Sequence, residues 1–139
     1  KIARVLGVRL GTFLDDQENI GPIVTREDHR RATLRFSGRS RGKRPELDFF
    51  ALAADKTGRH MEPFLIDVHA LPAKEIVLSA HEGEEFIYVL AGEVEISYGK
   101  ETYLLRERDS IYYDSIVSHN VRCHGDRDAR ILAVVYAPY

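Results

Sequence analysis

The hydrophobic positions of this chain fall into two textures. Over the first sixteen residues, KIARVLGVRLGTFLDD, apolar side chains stand at Ile2, Val5, Leu6, Val8, Leu10, Phe13 and Leu14, a spacing that predicts two short helical turns broken at Gly7. Gln17 to Ile23, with Gly21 and Pro22, reads as a linker. Beyond it the period shortens. Strands are expected at 32–36, 47–54, 62–70, 76–78, 85–90, 93–98, 102–106, 110–113, 119–123 and 129–137, separated by spacers holding Gly, Pro, Asp or Asn. No long amphipathic helix interrupts the series. Many short strands at about 8–12-residue spacing predict an all-β fold, either an antiparallel sandwich or a small barrel.

Two turns are marked by glycine. LAGEVEI is expected to turn at Ala91-Gly92 and ISYGKETYLL at Gly99-Lys100, each as a hairpin whose glycine supplies positive φ. In the strand between Glu85 and Leu90, Glu85, Ile87 and Val89 share one face and Phe86, Tyr88 and Leu90 the other. Both faces are largely apolar, so one is expected to line an interior and the other to be covered by more of this chain or by a second subunit, and a homodimer is the expected state.

Composition narrows the class. A chain of 139 residues has room for one domain, with a core that needs no disulfide. The single cysteine, Cys123, gives no internal disulfide, so a cytoplasmic location is expected. No apolar run approaches the roughly 20 residues required to cross a bilayer, so no membrane partner is expected. The net charge of −2 exerts no global pull on nucleic acid. HRRATLRFSGRSRGKR, residues 29–44, is rich in Arg and Lys and free of acids, and reads as a solvated strand and loop, since Phe36 is its only aromatic.

Candidate chemistry centres on HEGEEFIYVLAG, residues 81–92, and on RDSIYYDSIVSHNVRC, residues 108–123. His81 and Glu85 straddle Gly83, while His119 opens a distant strand. Two imidazoles and a carboxylate suit a divalent first-row metal if the fold brings them together. Ser110 and Ser115, near Asp109 and Asp114, lack the glycine-flanked elbow of a serine nucleophile and read as turn residues. Glu84 falls on the face opposite Glu85, which argues against a paired-carboxylate site.

These two stretches resemble the two signatures of the cupin superfamily, with His81, Glu85 and Gly92 in register in the first and His119 in the second. The resemblance spans about Leu47 to Tyr139. It implies a double-stranded β-helix, or jelly roll, with a pocket inside the barrel and His81, Glu85 and His119 as metal ligands. Departures accompany it. Ser79 stands where the first histidine is usual, Arg108 and Ile116 where glycines are, Asp114 where a proline is, and Cys123 where an asparagine is. The resemblance therefore implies three ligands of the usual four, for zinc, iron, manganese or nickel; Cys123, on the same strand face as His119, is a candidate substitute donor, against the commoner role of a lone cysteine as a small buried hydrophobe. Ser79, His81, Glu85, Tyr113, His119 and Cys123 are the expected ligand-binding residues.

KIARVLGVRLGTFLDD resembles the closing helices of an Xre-type helix-turn-helix domain. Helical remnant (1–16), linker and strand arm (17–45) and cupin (46–139) follow the order of bacterial transcription regulators that carry a C-terminal cupin sensor. That resemblance implies a non-catalytic module for a small-molecule effector, contacting DNA only through a domain that precedes this sequence. The alternative is a metal-dependent cupin dioxygenase or isomerase using His81, Glu85 and His119.

Overall fold

The computed structural model describes residues 21–29, 32–36, 47–70 and 78–138. The expected helical turns at 1–16, and most of the strand expected at 76–78, lie outside them. After a short 3-10 turn at Glu27–His29, the described residues form nine strands: β1 (Ala32–Phe36), β2 (Leu47–Ala51), β3 (Met61–Val68), β4 (Glu84–Ala91), β5 (Val94–Tyr98), β6 (Glu101–Leu105), β7 (Ser110–Asp114), β8 (His119–Cys123) and β9 (Ala129–Tyr136). They form a six-stranded sheet in the order β1-β2-β3-β9-β4-β7 and a three-stranded sheet in the order β6-β5-β8. Every pairing is antiparallel. This is the expected jelly roll, and among the described residues it is built from strands.

Alternation decides which side chains meet between the sheets. From the large sheet, Val68, Ile87, Val89 and Ile131 are almost fully buried, and from the small sheet Val94 and Ile96 are. Fully burying a side chain of this kind is worth about 1.5–3 kcal/mol, so these six alone bind the layers firmly. On the central strand β9, Ala133 is flanked by Phe64 on β3 and Ile87 on β4. A small residue between two large ones gives them room to reach across the interior. No helix among the described residues is long and apolar enough to cross a membrane.

The Gly99-Lys100 hairpin forms as expected, joining β5 to β6 with Gly99 at φ 60. Ala91-Gly92 does not close a hairpin. Both edges of β4 are taken, by β7 and β9, while β5 pairs with β6 and β8, so the chain crosses here from one sheet to the other. Gly92, at φ 76, makes that corner against the next turn of chain. A Cβ there would lie 2.8 Å from the Asp128 carbonyl oxygen. Local sequence marks a turn residue, but pairing partners decide which turn is made.

Candidate metal centre

One end of the barrel gathers the start of β4, the end of β7, the end of β5 and the start of β8. Register places Glu85 opposite Tyr113 on one side and Val135 on the other, and places His119 opposite Tyr98. His81 precedes β4 in a loop tied down by backbone bonds: its N–H donates to the Ser115 carbonyl (2.9 Å), and the Ser115 N–H donates to the Gly83 carbonyl (2.9 Å). Gly83, at φ 117, lets this loop press against the last strand.

The three residues separated in sequence converge here. Glu85 Oε2 lies 2.9 Å from His81 Nε2 and 3.1 Å from His119 Nε2. Potential donor atoms of all three lie within 4.8 Å of one another. Each histidine is oriented by its other ring nitrogen. His119 Nδ1 contacts the Val117 carbonyl at 2.8 Å and His81 Nδ1 contacts the Glu82 carbonyl at 3.1 Å. A carbonyl only accepts, so each Nδ1 carries its proton and each Nε2 is left facing the carboxylate, as a metal-binding imidazole requires. The rings meet edge to face, 5.4 Å between centroids. This donor set fits a divalent metal, and two histidines with one carboxylate is the combination that suits non-haem iron(II).

Electrostatics follow from burial and contacts. Burial acts to raise the pKa of Glu85, but hydrogen bonds from His119, Tyr113 and Ser115 outweigh it and hold the carboxyl below its usual value. Burial acts to lower that of His119. Its bonds to Glu85 and to the Val117 carbonyl prevail and raise it above 6.5. Without metal, the protonated imidazole and the carboxylate satisfy each other. A metal must displace that proton, so its apparent affinity is expected to climb as pH rises through the range above 6.5, and to level off beyond the raised His119 pKa. Stability of the metal-free protein should run the other way. The His119 contribution is complete below the unfolded pKa of about 6.5 and is lost as pH rises through the folded value. Metal titrations and unfolding curves at matched pH values check the two trends together.

Of the expected site residues, His81, Glu85, Tyr113 and His119 come together. Ser79 reaches the neighbourhood through its backbone, which exchanges N–H···O bonds of 2.9 Å in both directions with His119, while the residue itself is exposed. Cys123 is not brought in. It sits at the other end of β8, roughly 13 Å along the strand from His119 at about 3.3 Å per residue. Its thiol donates to the Arg127 carbonyl, 2.6 Å away, so strand geometry removes it as a substitute ligand. Glu84 stays on the outer face, bonded to Tyr112. Ser115, expected to be only a turn residue, is fully buried with Oγ 3.0 Å from Glu85 Oε2. No local signal marked it, because the β4–β7 register creates the contact.

Residues 67–135 match the family described as "Cupin domain". Among solved structures, the chain is similar to the iron(II) form of HppE at 26% identity, covering 97% of this chain and 72% of that one, with a TM-score of 0.71. It is similar to hydroxypropylphosphonic acid epoxidase from S. wedmorenis in complex with fosfomycin at 25% identity, covering 97% and 71%, with a TM-score of 0.67. A conserved protein of unknown function from Streptococcus pyogenes shares the fold at 19% identity, covering 67% and 75%, with a TM-score of 0.54. No curated protein matches the chain.

Proposed function

We propose that this chain, whose residues 67–135 match the family described as "Cupin domain", is a mononuclear iron(II) enzyme acting oxidatively on a small organic substrate. The observation that carries this reading is the convergence of His81, Glu85 and His119, each histidine with Nδ1 on a backbone carbonyl and Nε2 toward one carboxylate oxygen. Similarity to an iron(II) structure at 26% identity supports the choice of metal. Iron(II) held by such a set supplies open coordination positions and redox chemistry.

The chain's own residues do the rest. Glu85 provides the one anionic donor, and the imidazoles provide neutral ones. Tyr113 is 5% exposed, and burial, with the Glu85 charge beside it, pushes its phenol well above the usual range, so it stays a neutral donor at the edge of the site. Beneath the ligands, Ile87, Ile96 and Ile131 close the interior to water. The accessible side is that of His81, which is exposed where Glu85 and His119 are largely buried. Substrate enters there.

The sensor reading has less in its favour. Its helix-turn-helix component rests on residues 1–16, outside those described, and the similar structures at 25–26% identity carry the names of an enzyme. The two readings differ in a direct measurement. Protein prepared without oxygen and titrated with iron(II) is expected to bind one ion per chain and then to take up azide at the metal, followed by its absorption spectrum. A chain that binds no iron(II), yet is stabilised to heat by small organic acids in the presence of chelator, would favour the sensor.

A further inference from the structure

We propose that Tyr113 and Ser115 are positioning residues that hold Glu85 as a one-oxygen ligand, keeping its second oxygen off the metal; this rests on the metal-centre reading above. The two carboxylate oxygens have different surroundings. Oε2 faces both imidazoles, at 2.9 and 3.1 Å, and also accepts the Ser115 hydroxyl at 3.0 Å. Oε1 accepts the Tyr113 phenol at 2.8 Å. A carboxylate rotates readily about its last torsion, and nothing in the Glu85 side chain itself prevents both oxygens from turning toward a cation. The phenol bond prevents it.

Tyr113 is well placed to resist that rotation. It lies on β7 directly across from Glu85, in a register secured by five consecutive residue pairs. Its ring packs 5.0 Å from the Tyr98 ring and 5.0 Å from the His119 ring, so it cannot swing aside without disturbing a ligand. Tyr98 is itself tied across the barrel, donating its hydroxyl to the Asp114 carbonyl at 2.9 Å. Ser115, one residue past the end of β7, anchors the opposite oxygen. Its backbone also holds the His81 loop at both ends, through the His81 N–H and the Gly83 carbonyl. One stretch, Tyr113 to Ser115, therefore sets the rotation of the carboxylate and the position of the exposed histidine. The functional consequence is coordination room: a carboxylate restricted to one oxygen leaves one more position for substrate or a small ligand.

Cobalt(II), whose visible spectrum reports coordination, tests this with Tyr113→Phe. The variant is expected to bind one cobalt ion per chain with affinity within about tenfold of the parent. Its visible spectrum should shift, and azide should bind at least about tenfold more weakly, because the freed Oε1 competes for the same position. A merely structural role for Tyr113 would change thermal stability and leave the spectrum and the azide affinity alone, and that result overturns the proposal. If Tyr113→Phe does not fold, a crystal structure of the parent with cobalt decides. Oε2 on the metal with Oε1 still on Tyr113 supports the clamp, and both oxygens on the metal overturns it. A parent protein that takes up no cobalt overturns the metal centre along with the clamp, whereas cobalt binding with an unchanged variant spectrum overturns the clamp alone.

Discussion

Replacing His119 with alanine is expected to abolish stoichiometric metal binding, lowering affinity by more than about 100-fold. Partners that only orient a metal ligand are worth about 10- to 100-fold, and His119 is itself a ligand. It is the better fixed of the two histidines, buried, with Nδ1 on the Val117 carbonyl and its backbone paired to Ser79 on one side and Tyr98 on the other. Two donors, His81 and Glu85, would remain, and His81 is on the exposed loop. The substitution also leaves Glu85 without the His119 imidazolium, so the metal-free variant should unfold earlier than the parent below pH 6.5 and differ less at higher pH. Isothermal titration with iron(II) or cobalt(II) measures the loss. His124→Ala, at the opposite end of β8, is the control and should bind metal as the parent does.

The second large effect is expected from Gly83→Ala. At φ 117 the backbone occupies a region that residues with a side chain rarely adopt, and a Cβ would stand 1.9 Å from the Tyr136 carbonyl oxygen. That atom belongs to the backbone at the end of β9 and cannot turn away like the tip of a flexible side chain. The loop must move instead. Backbone strain of this kind costs of order 1–3 kcal/mol, and the steric overlap adds to it, so a loss of about 3 kcal/mol or more is expected. For a chain of this size that corresponds to a fall in Tm of roughly 10 °C or more. The site should suffer too. Gly83 lies between His81 and Glu85, and its carbonyl accepts the Ser115 N–H, so a displaced loop separates one ligand from the other two. Chemical denaturation gives the stability change, and metal stoichiometry at low temperature, where the variant is folded, gives the effect on the site.

Arg108 shows how a departure from a family pattern is absorbed. Where the cupin signature usually has glycine, the arginine takes φ 75, and its N–H still donates to the Val89 carbonyl at 2.9 Å. The turn into β7 is kept at the expense of backbone strain. The sequence showed only that a usual glycine is replaced here; the positive φ, and the hydrogen bond that accompanies it, belong to the tertiary structure.

Strand order along the chain, the division of β4 into two faces, and the identity of His81, Glu85 and His119 as a set were legible in the sequence. The first two follow from a two-residue period that depends only on neighbouring residues, and the third from spacing around Gly83 and Gly92 matched to a known pattern. Tertiary structure alone decided which turns close hairpins, since both edges of β4 had to be claimed by β7 and β9 before Ala91-Gly92 became a corner between sheets. It alone separated Cys123 from the site, because a five-residue extended strand carries its two ends far apart. And it alone drew Tyr113 and Ser115 onto Glu85, because a contact between residues 28 and 30 positions apart exists only once β4 and β7 have settled into one register.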